Sequence, residues 1–189
     1  MNRLIKLALL VLIVGLVLIV ALAGSRTGSA KDEFRFDAAK LKDTSVWTQV
    51  NAEPYYISSA LDTLCAAPTA ATYEPERKRN PHAATYITVY VNSVGREAMF
   101  TKDVPRFPEG SIIVKAKIST HFEGRKPLLY TIMRKREQGY NPKVGDWEFS
   151  VVGPNGTDVQ GTGKLENCQA CHLSEPGSDF VFRPYVKLD

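Results

Sequence analysis

The spacing of two cysteines and a histidine near the end of the chain limits what this sequence can fold around more than any other feature. Cys168-Gln169-Ala170-Cys171-His172 is the attachment pattern of c-type haem. In this pattern each thiol adds to one vinyl group of the porphyrin, and the intervening residues match the separation of the vinyl groups. The histidine that follows lies under the iron. The motif therefore predicts a haem c cofactor, attached covalently through Cys168 and Cys171, with His172 as an axial iron ligand.

Three other kinds of site contain a Cys-x-x-Cys pair, and each has a feature against it here. A thioredoxin-like redox pair lies near the N-terminus of its domain, whereas this pair lies close to the C-terminus. A structural zinc site needs further nitrogen or sulfur ligands, and Cys65, His82 and His121 are not paired at finger-like spacing. A disulfide within the motif would close an uncommonly tight ring. The haem interpretation is favoured, and it leaves Cys65 as an unpaired thiol that is predicted to be buried and unreactive.

The first residues predict export. Arg3 and Lys6 form a basic start, and Leu7 to Ala23 is an unbroken apolar run. This run is near the lower limit for a bilayer-spanning helix and longer than the usual core of a cleavable signal. Residues 1–23 are therefore predicted to be a signal peptide or a membrane anchor, with the length favouring an anchor. The remainder is predicted to be periplasmic or otherwise extracytoplasmic, attached to the inner membrane if the run is not cleaved.

The exported part is predicted to be a short tether, residues 24–45, followed by one haem domain, residues 46–189. The chain has 24 Lys and Arg against 20 Asp and Glu. Two of the basic residues, Arg3 and Lys6, belong to the N-terminal segment, so the exported part is nearly neutral. That balance gives no reason to expect nucleic acid as a partner.

Periodicity along the domain predicts an α+β fold, an antiparallel β-sheet with flanking helices. Asn51 to Pro54 resembles a helix start, and apolar residues from Ile57 to Cys65 then share one helical face. One or two helical turns are expected within Gly95 to Thr101. Alternation of Trp147, Phe149 and Val151 indicates a half-buried strand. The predicted strands are Tyr86–Asn92, Ser111–Ile118, Leu128–Met133, Asp146–Val152 and Val159–Leu165, with a hairpin turn at Pro154-Asn155-Gly156.

With the haem motif in place, the C-terminal half of the chain resembles the cytochrome P-460 family, which includes the cytochromes c′-beta. The more specific signal is the Phe-Pro-Glu-Gly turn that opens a strand ahead of the motif, because Cys-x-x-Cys-His alone is generic. The resemblance implies an antiparallel sheet with flanking helices, a homodimer, and a five-coordinate haem lying on the sheet. The blocks that carry it are Tyr86–Asn92, Phe107–Lys115, Gly145–Phe149, Cys168–His172 and Asp179–Phe182.

In the hydroxylamine-oxidising members of that family a lysine cross-links to the porphyrin, and the match places this candidate at Lys115. Strand alternation puts Ile113, Lys115 and Lys117 on one face, so the other interpretation is two lysines on a solvent-facing side. The active members are also expected to carry a carboxylate on the next strand for proton transfer. This chain has Thr131 there and no acid between Leu129 and Met133.

The resemblance implies an exported c-type cytochrome whose open distal site binds or converts small nitrogen species, nitric oxide or hydroxylamine. If the protein is an enzyme, it is an oxidoreductase acting on one of these, although the missing acid argues against hydroxylamine oxidation. The alternative is a membrane-tethered periplasmic electron-transfer cytochrome that meets a redox partner protein and no substrate. A haem-bearing module of a larger respiratory complex also remains open. His82 and His121 are the candidates for a second iron ligand and are predicted to be loop histidines, while Met99 and Met133 are predicted to be core.

Overall fold

Antiparallel strands make up most of the chain that the computed structural model describes, which comprises residues 35–58, 85–119 and 127–188. The strands of these ranges form one sheet in the order β1-β3-β4-β5-β6-β7, and β2 also pairs with β3. Their bounds are β1 (Trp47–Gln49), β2 (Tyr55–Ile57), β3 (Thr85–Asn92), β4 (Ile112–Ser119), β5 (Pro127–Lys135), β6 (Trp147–Val152) and β7 (Val159–Gly163). Helix α1 (Arg96–Phe100) follows β3 and helix α2 (Glu166–His172) follows β7, with short 3₁₀ turns at Ala38–Lys42, Pro142–Val144 and Pro176–Ser178.

The five predicted strands and the helical turns after Gly95 are confirmed, and so is the antiparallel α+β fold of the described ranges. The helix predicted from Asn51 is wrong at its start, because Tyr55–Ile57 is a strand. Asn51 donates through Nδ2 to the carbonyl of Ile87 (2.9 Å) and accepts the N–H of Val89 (2.7 Å), so it ties this segment to β3 instead of capping a helix. The rest of the predicted helix, including Cys65, lies outside the described residues.

The core of the domain lies on the face of the sheet that carries Ile113, Met133 and Phe149, which are in register across β4, β5 and β6. Trp147 and Met99 are fully buried there, and Met133 is also buried, so both methionines are core residues as predicted. The rings of Phe107 and Trp147 meet edge to face at 5.5 Å. The contact between Phe107 and Trp147 holds β6 in place, and β6 also carries Phe149, which lines the site described below.

Strand β6 is buried on both faces, so the prediction of a half-buried strand is wrong. Glu148 and Val152 lie on the face opposite the core cluster and are nevertheless buried. Part of the cover on this second face comes from the segment predicted to be a tether, since Phe36 packs against Tyr130 with ring centroids 5.2 Å apart. Alternation identifies which residues share a face, but it cannot show what covers the other face.

The predicted signal or anchor, residues 1–23, lies outside the described residues, and so do His82 and His121. Within the described ranges, no helix combines the length and the apolar character that crossing a membrane requires.

Candidate functional site

Helix α2 brings the two cysteines and the histidine of the motif together. Cys171 and His172 follow Cys168 by three and four residues, and residues at these spacings lie on one side of a helix. The helix begins after Leu165, whose carbonyl accepts the N–H groups of Cys168 (3.1 Å) and Gln169 (3.0 Å). One short helix therefore presents two thiols and an imidazole to the same space.

That space is a cavity, partly open to solvent, between α2 and strands β4, β5 and β6. The wall is mainly apolar and contains no aspartate or glutamate among the described residues. The residues that line it are Ile113, Lys115, Thr131, Ile132, Met133, Phe149, Ser150, Asn167, Cys168, Cys171 and His172.

His172 is held in the form that can ligate a metal. Its Nδ1 lies 2.6 Å from the carbonyl oxygen of Phe180, and because a carbonyl only accepts, Nδ1 carries the proton. Burial, together with the nearby Lys115 amine, lowers the pKa of His172 to about 4, although the Phe180 carbonyl opposes this shift. The imidazole is therefore neutral at pH 7, with a free lone pair on Nε2. Phe149 and Phe182 fix the ring, with centroids 5.2 Å and 5.1 Å from it.

Cys168 lacks the lowered pKa of a redox-active cysteine. Burial is the main cause that raises the pKa of Cys168, whereas redox-active cysteines of Cys-x-x-Cys motifs have a lowered pKa. Although Cys168, Cys171 and His172 face one cavity, neither they nor any other three His, Cys, Asp or Glu side chains of the described part of the chain come close enough together to hold one metal ion. The redox and zinc interpretations therefore gain no support from these residues.

Lys115 lies in the cavity wall with its side chain buried, so the solvent-facing interpretation of Lys115 and Lys117 is wrong. Their exposed fractions are 9% and 6%. Residues of the C-terminal tail (173–188) cover the strand, and Lys115 Nζ lies 5.5 Å from the ring centre of Phe182 and 5.8 Å from that of Tyr185. Burial lowers the pKa of Lys115 to about 8, while Cys168 raises it and Lys117 lowers it. Roughly a tenth of this amine is therefore uncharged at pH 7, far more than for an ordinary lysine.

The structure places all four predicted site residues, Cys168, Cys171, His172 and Lys115, around one cavity. Across β4 and β5 Lys115 pairs directly with Thr131, the position at which the sequence lacks the expected acid. A neutral imidazole, two thiols at haem spacing and an apolar wall are the donor set and surroundings that haem c needs. The residues around this cavity therefore fit haem c.

Sequence reasoning missed the side chains that hold the histidine. The sequence places Phe149 in a strand and in a matching block, and Phe182 in a matching block, but it predicts no contact of either with His172. The contact of Phe180 with His172 depends on the backbone path of the tail, which leaves no pattern in the sequence. The one signal in the sequence is the pair of phenylalanines that follows the motif, Phe180 and Phe182, which could have indicated that the tail packs over the site.

Comparison with known proteins assigns most of the domain to a family. The family model described as Cytochrome P460 matches residues 69–183, more than half of the chain. A search of curated proteins found none that matches.

Proposed function

Since the chain belongs to the cytochrome P460 family and is thus a c-type cytochrome with covalently bound haem c, we propose that its iron site binds small nitrogen species. Cys168 and Cys171 would hold the haem, and His172 would be the protein's axial ligand to the iron. Bound haem c supplies an iron centre that takes a small ligand and exchanges one electron. Nitric oxide is the ligand that the site suits best.

The state of His172 carries the iron-binding part of this proposal, and the cavity wall carries the part that concerns the ligand. A metal ligand must be unprotonated at the ligating nitrogen, and an imidazole bound through one nitrogen usually donates its other N–H to an acceptor. His172 meets both conditions, since its ring is neutral at pH 7 and its Nδ1 donates to the Phe180 carbonyl. The histidine of the motif is thus already in the state in which it would bind iron.

The cavity wall favours ligand binding over hydroxylamine oxidation. Removing protons from hydroxylamine requires a base close to the substrate. The described residues of the wall offer Lys115 and Thr131 and no carboxylate. Lys115 also remains the candidate for a cross-link to the haem, because a buried amine that loses its proton readily is available as a nucleophile.

The alternative is an electron-transfer cytochrome with both axial positions filled, and one observation favours it. Met133 lines the same cavity as His172, and a methionine opposite a histidine is the ligand pair of many cytochromes c. For this function the iron would meet a redox partner protein and no substrate.

The proposal also includes the place where the protein works. The basic start and the apolar run up to Ala23 support export to the periplasm, with the run as an inner-membrane anchor or a cleaved signal. Haem c is attached outside the cytoplasm in such proteins, which agrees with this location. The family resemblance further supports a homodimer.

An optical spectrum of the reduced protein, recorded with and without nitric oxide, tests the proposal. We expect a five-coordinate ferrous spectrum that changes fully when nitric oxide is added. A six-coordinate low-spin spectrum that ignores nitric oxide would refute the open site. The matched variant Met133→Leu then identifies the cause, because it should convert that spectrum to a five-coordinate one only if the thioether is the second ligand.

A further inference from the structure

The tail that follows α2 contains two consecutive residues in a conformation that side chains disfavour. Asp179 and Phe180 have φ angles of 53° and 63°, in the left-handed region. Residues other than glycine are uncommon there, and such a pair persists only where the surroundings enforce it. The backbone at this point is therefore held in place by specific contacts.

Backbone bonds from Phe180 N–H to the Glu175 carbonyl (2.8 Å) and from Val181 N–H to the Ser178 carbonyl (3.1 Å) contribute. Further contacts come from Asp179, whose side chain is only 6% exposed. Its carboxylate accepts two hydrogen bonds from Lys135 Nζ (2.8 and 2.7 Å) and one from the N–H of Phe107 (2.8 Å). Its backbone carbonyl accepts the indole N–H of Trp147 (2.8 Å). These contacts join the tail to β5, to β6 and to the turn before β4, and we call them the Asp179 lock.

A close approach between Gly145 and the tail also restrains Asp179 and Phe180. Gly145 has no side chain, and a Cβ there would lie 2.8 Å from both Asp179 Oδ1 and a ring carbon of Phe180. The tail is thus pressed against the turn that leads into β6. Little freedom is left for Asp179 or Phe180 to adopt another backbone conformation.

The lock determines where the Phe180 carbonyl lies. That carbonyl belongs to the second left-handed residue and accepts the Nδ1–H of His172 at 2.6 Å. If Asp179 and Phe180 relaxed to ordinary dihedral angles, the carbonyl would turn and the hydrogen bond would be lost. The lock itself does not touch the imidazole, so it acts on His172 through the tail, by this bond and by Phe182, whose ring centre lies 5.1 Å from that of the imidazole.

We propose that Asp179 is a positioning residue for the haem, which sets the electron donation of His172 to the iron by holding the Phe180 carbonyl in place. This inference rests on the proposed role of His172 as the axial ligand. An acceptor on Nδ1 makes an imidazole a stronger donor to its metal and thereby stabilises the oxidised iron. Releasing the carbonyl should weaken that donation and favour the reduced state.

The test measures the midpoint potential of Asp179→Ala and Asp179→Asn holoprotein, together with the iron–imidazole stretching band of the ferrous form by resonance Raman spectroscopy. In Asp179→Ala we expect the ratio of reduced to oxidised protein at a fixed potential to rise about tenfold, which corresponds to about 59 mV for one electron. The stretching band should move to lower frequency. Asp179→Asn keeps one acceptor oxygen and tolerates left-handed dihedral angles, so its shift should be smaller and in the same direction.

Glu148→Gln is the matched control, because it removes the charge of another buried carboxylate on the same sheet, whose ion-pair partners are Arg134 and Arg136. Its potential and stretching band should equal those of the wild type. If Asp179→Ala does not yield holoprotein, Asp179→Asn decides the question. Wild-type values in whichever of these Asp179 variants retains haem would overturn the proposal, and so would an equal shift in the control.

Failure of the proposed function gives a different result. Haem that is extracted from the denatured wild-type protein by acidified organic solvent would refute the covalent site itself. A wild-type ferrous protein without any iron–imidazole band would refute the assignment of His172. Either result concerns the wild type, whereas the lock is refuted only by comparing variants that retain the haem.

Discussion

Glu148 on β6 offers the sharpest test of how the described sheet is stabilised. Its carboxylate accepts hydrogen bonds from Arg134 Nε (2.7 Å) and Arg136 Nη1 (3.0 Å). The three side chains are only 9%, 13% and 21% exposed for Glu148, Arg134 and Arg136, so solvent screens the ions weakly. Phe149 and Trp147, the neighbours of Glu148 in β6, point to the core face, which includes the wall of the haem cavity.

Replacing Glu148 with glutamine should destabilise the protein by about 3 kcal/mol. Glutamine keeps one acceptor oxygen, so one charge-assisted hydrogen bond becomes a weaker neutral one at a cost of about 1 kcal/mol. The amide nitrogen cannot accept, so the second bond, worth about 2 kcal/mol, is lost. The total lies at the lower end of the range of about 3–5 kcal/mol for breaking a buried ion pair.

Urea unfolding at pH 7, followed by circular dichroism and extrapolated to water, measures this change. The matched control is Glu137→Gln, which removes the same charge from a carboxylate that also bonds Arg136 (3.1 Å) but is 55% exposed. The control should cost about 0–1 kcal/mol, as exposed ion pairs do. Equal effects of the two substitutions within about 0.5 kcal/mol would show that burial does not strengthen the Glu148 contacts and would refute the reasoning.

Three further predictions concern the haem and export. Cys168→Ala or Cys171→Ala should weaken or abolish covalent attachment, measured as haem released from the denatured protein by acidified organic solvent. Expression without residues 1–23 should give cytoplasmic protein that lacks haem, and the intact mass of the native protein should show whether this segment is retained. Peptide mapping of the holoprotein should show whether Lys115 carries haem, and a Lys115 peptide that runs free of haem would rule out the cross-link.

The parts of the fold that the sequence predicts are those with strong local patterns. Residues 85–119 and 127–163 contain strands whose alternation or β-branched composition is visible, and their bounds are correct to within a few residues. The haem motif has fixed spacing, so the sequence alone predicts that Cys168, Cys171 and His172 act together, although helix α2, which carries them, is not among the predicted elements. The helix predicted after Asn51 is wrong because an asparagine followed by a proline suits the start of a helix as well as it suits an extended segment. The pairing of this segment with β3 depends on residues far away in the sequence.

Burial is the property that the sequence could not supply. Alternation placed Lys115 and Ile113 on one face, but the rings that cover this face, Phe182 and Tyr185, come from the far end of the chain. The same limit applies to the Asp179 lock, since Lys135, Phe107 and Trp147 are brought to the carboxylate only by the folded sheet.

The burial of Lys115 is itself an argument about function. Lowering the pKa of this amine from 10.5 to about 8 means that keeping it charged in the folded chain costs about 3 kcal/mol. Because the folded pKa is depressed, this penalty is fully present below pH 8 and fades as the pH rises towards 10.5. The described cavity wall provides no carboxylate to offset it. A residue that destabilises the isolated chain at neutral pH is not explained by folding, and residues that break the rules of burial concentrate at functional sites. The amine lies in the same cavity wall as His172 and both cysteines, so its role is best sought in the chemistry of the haem.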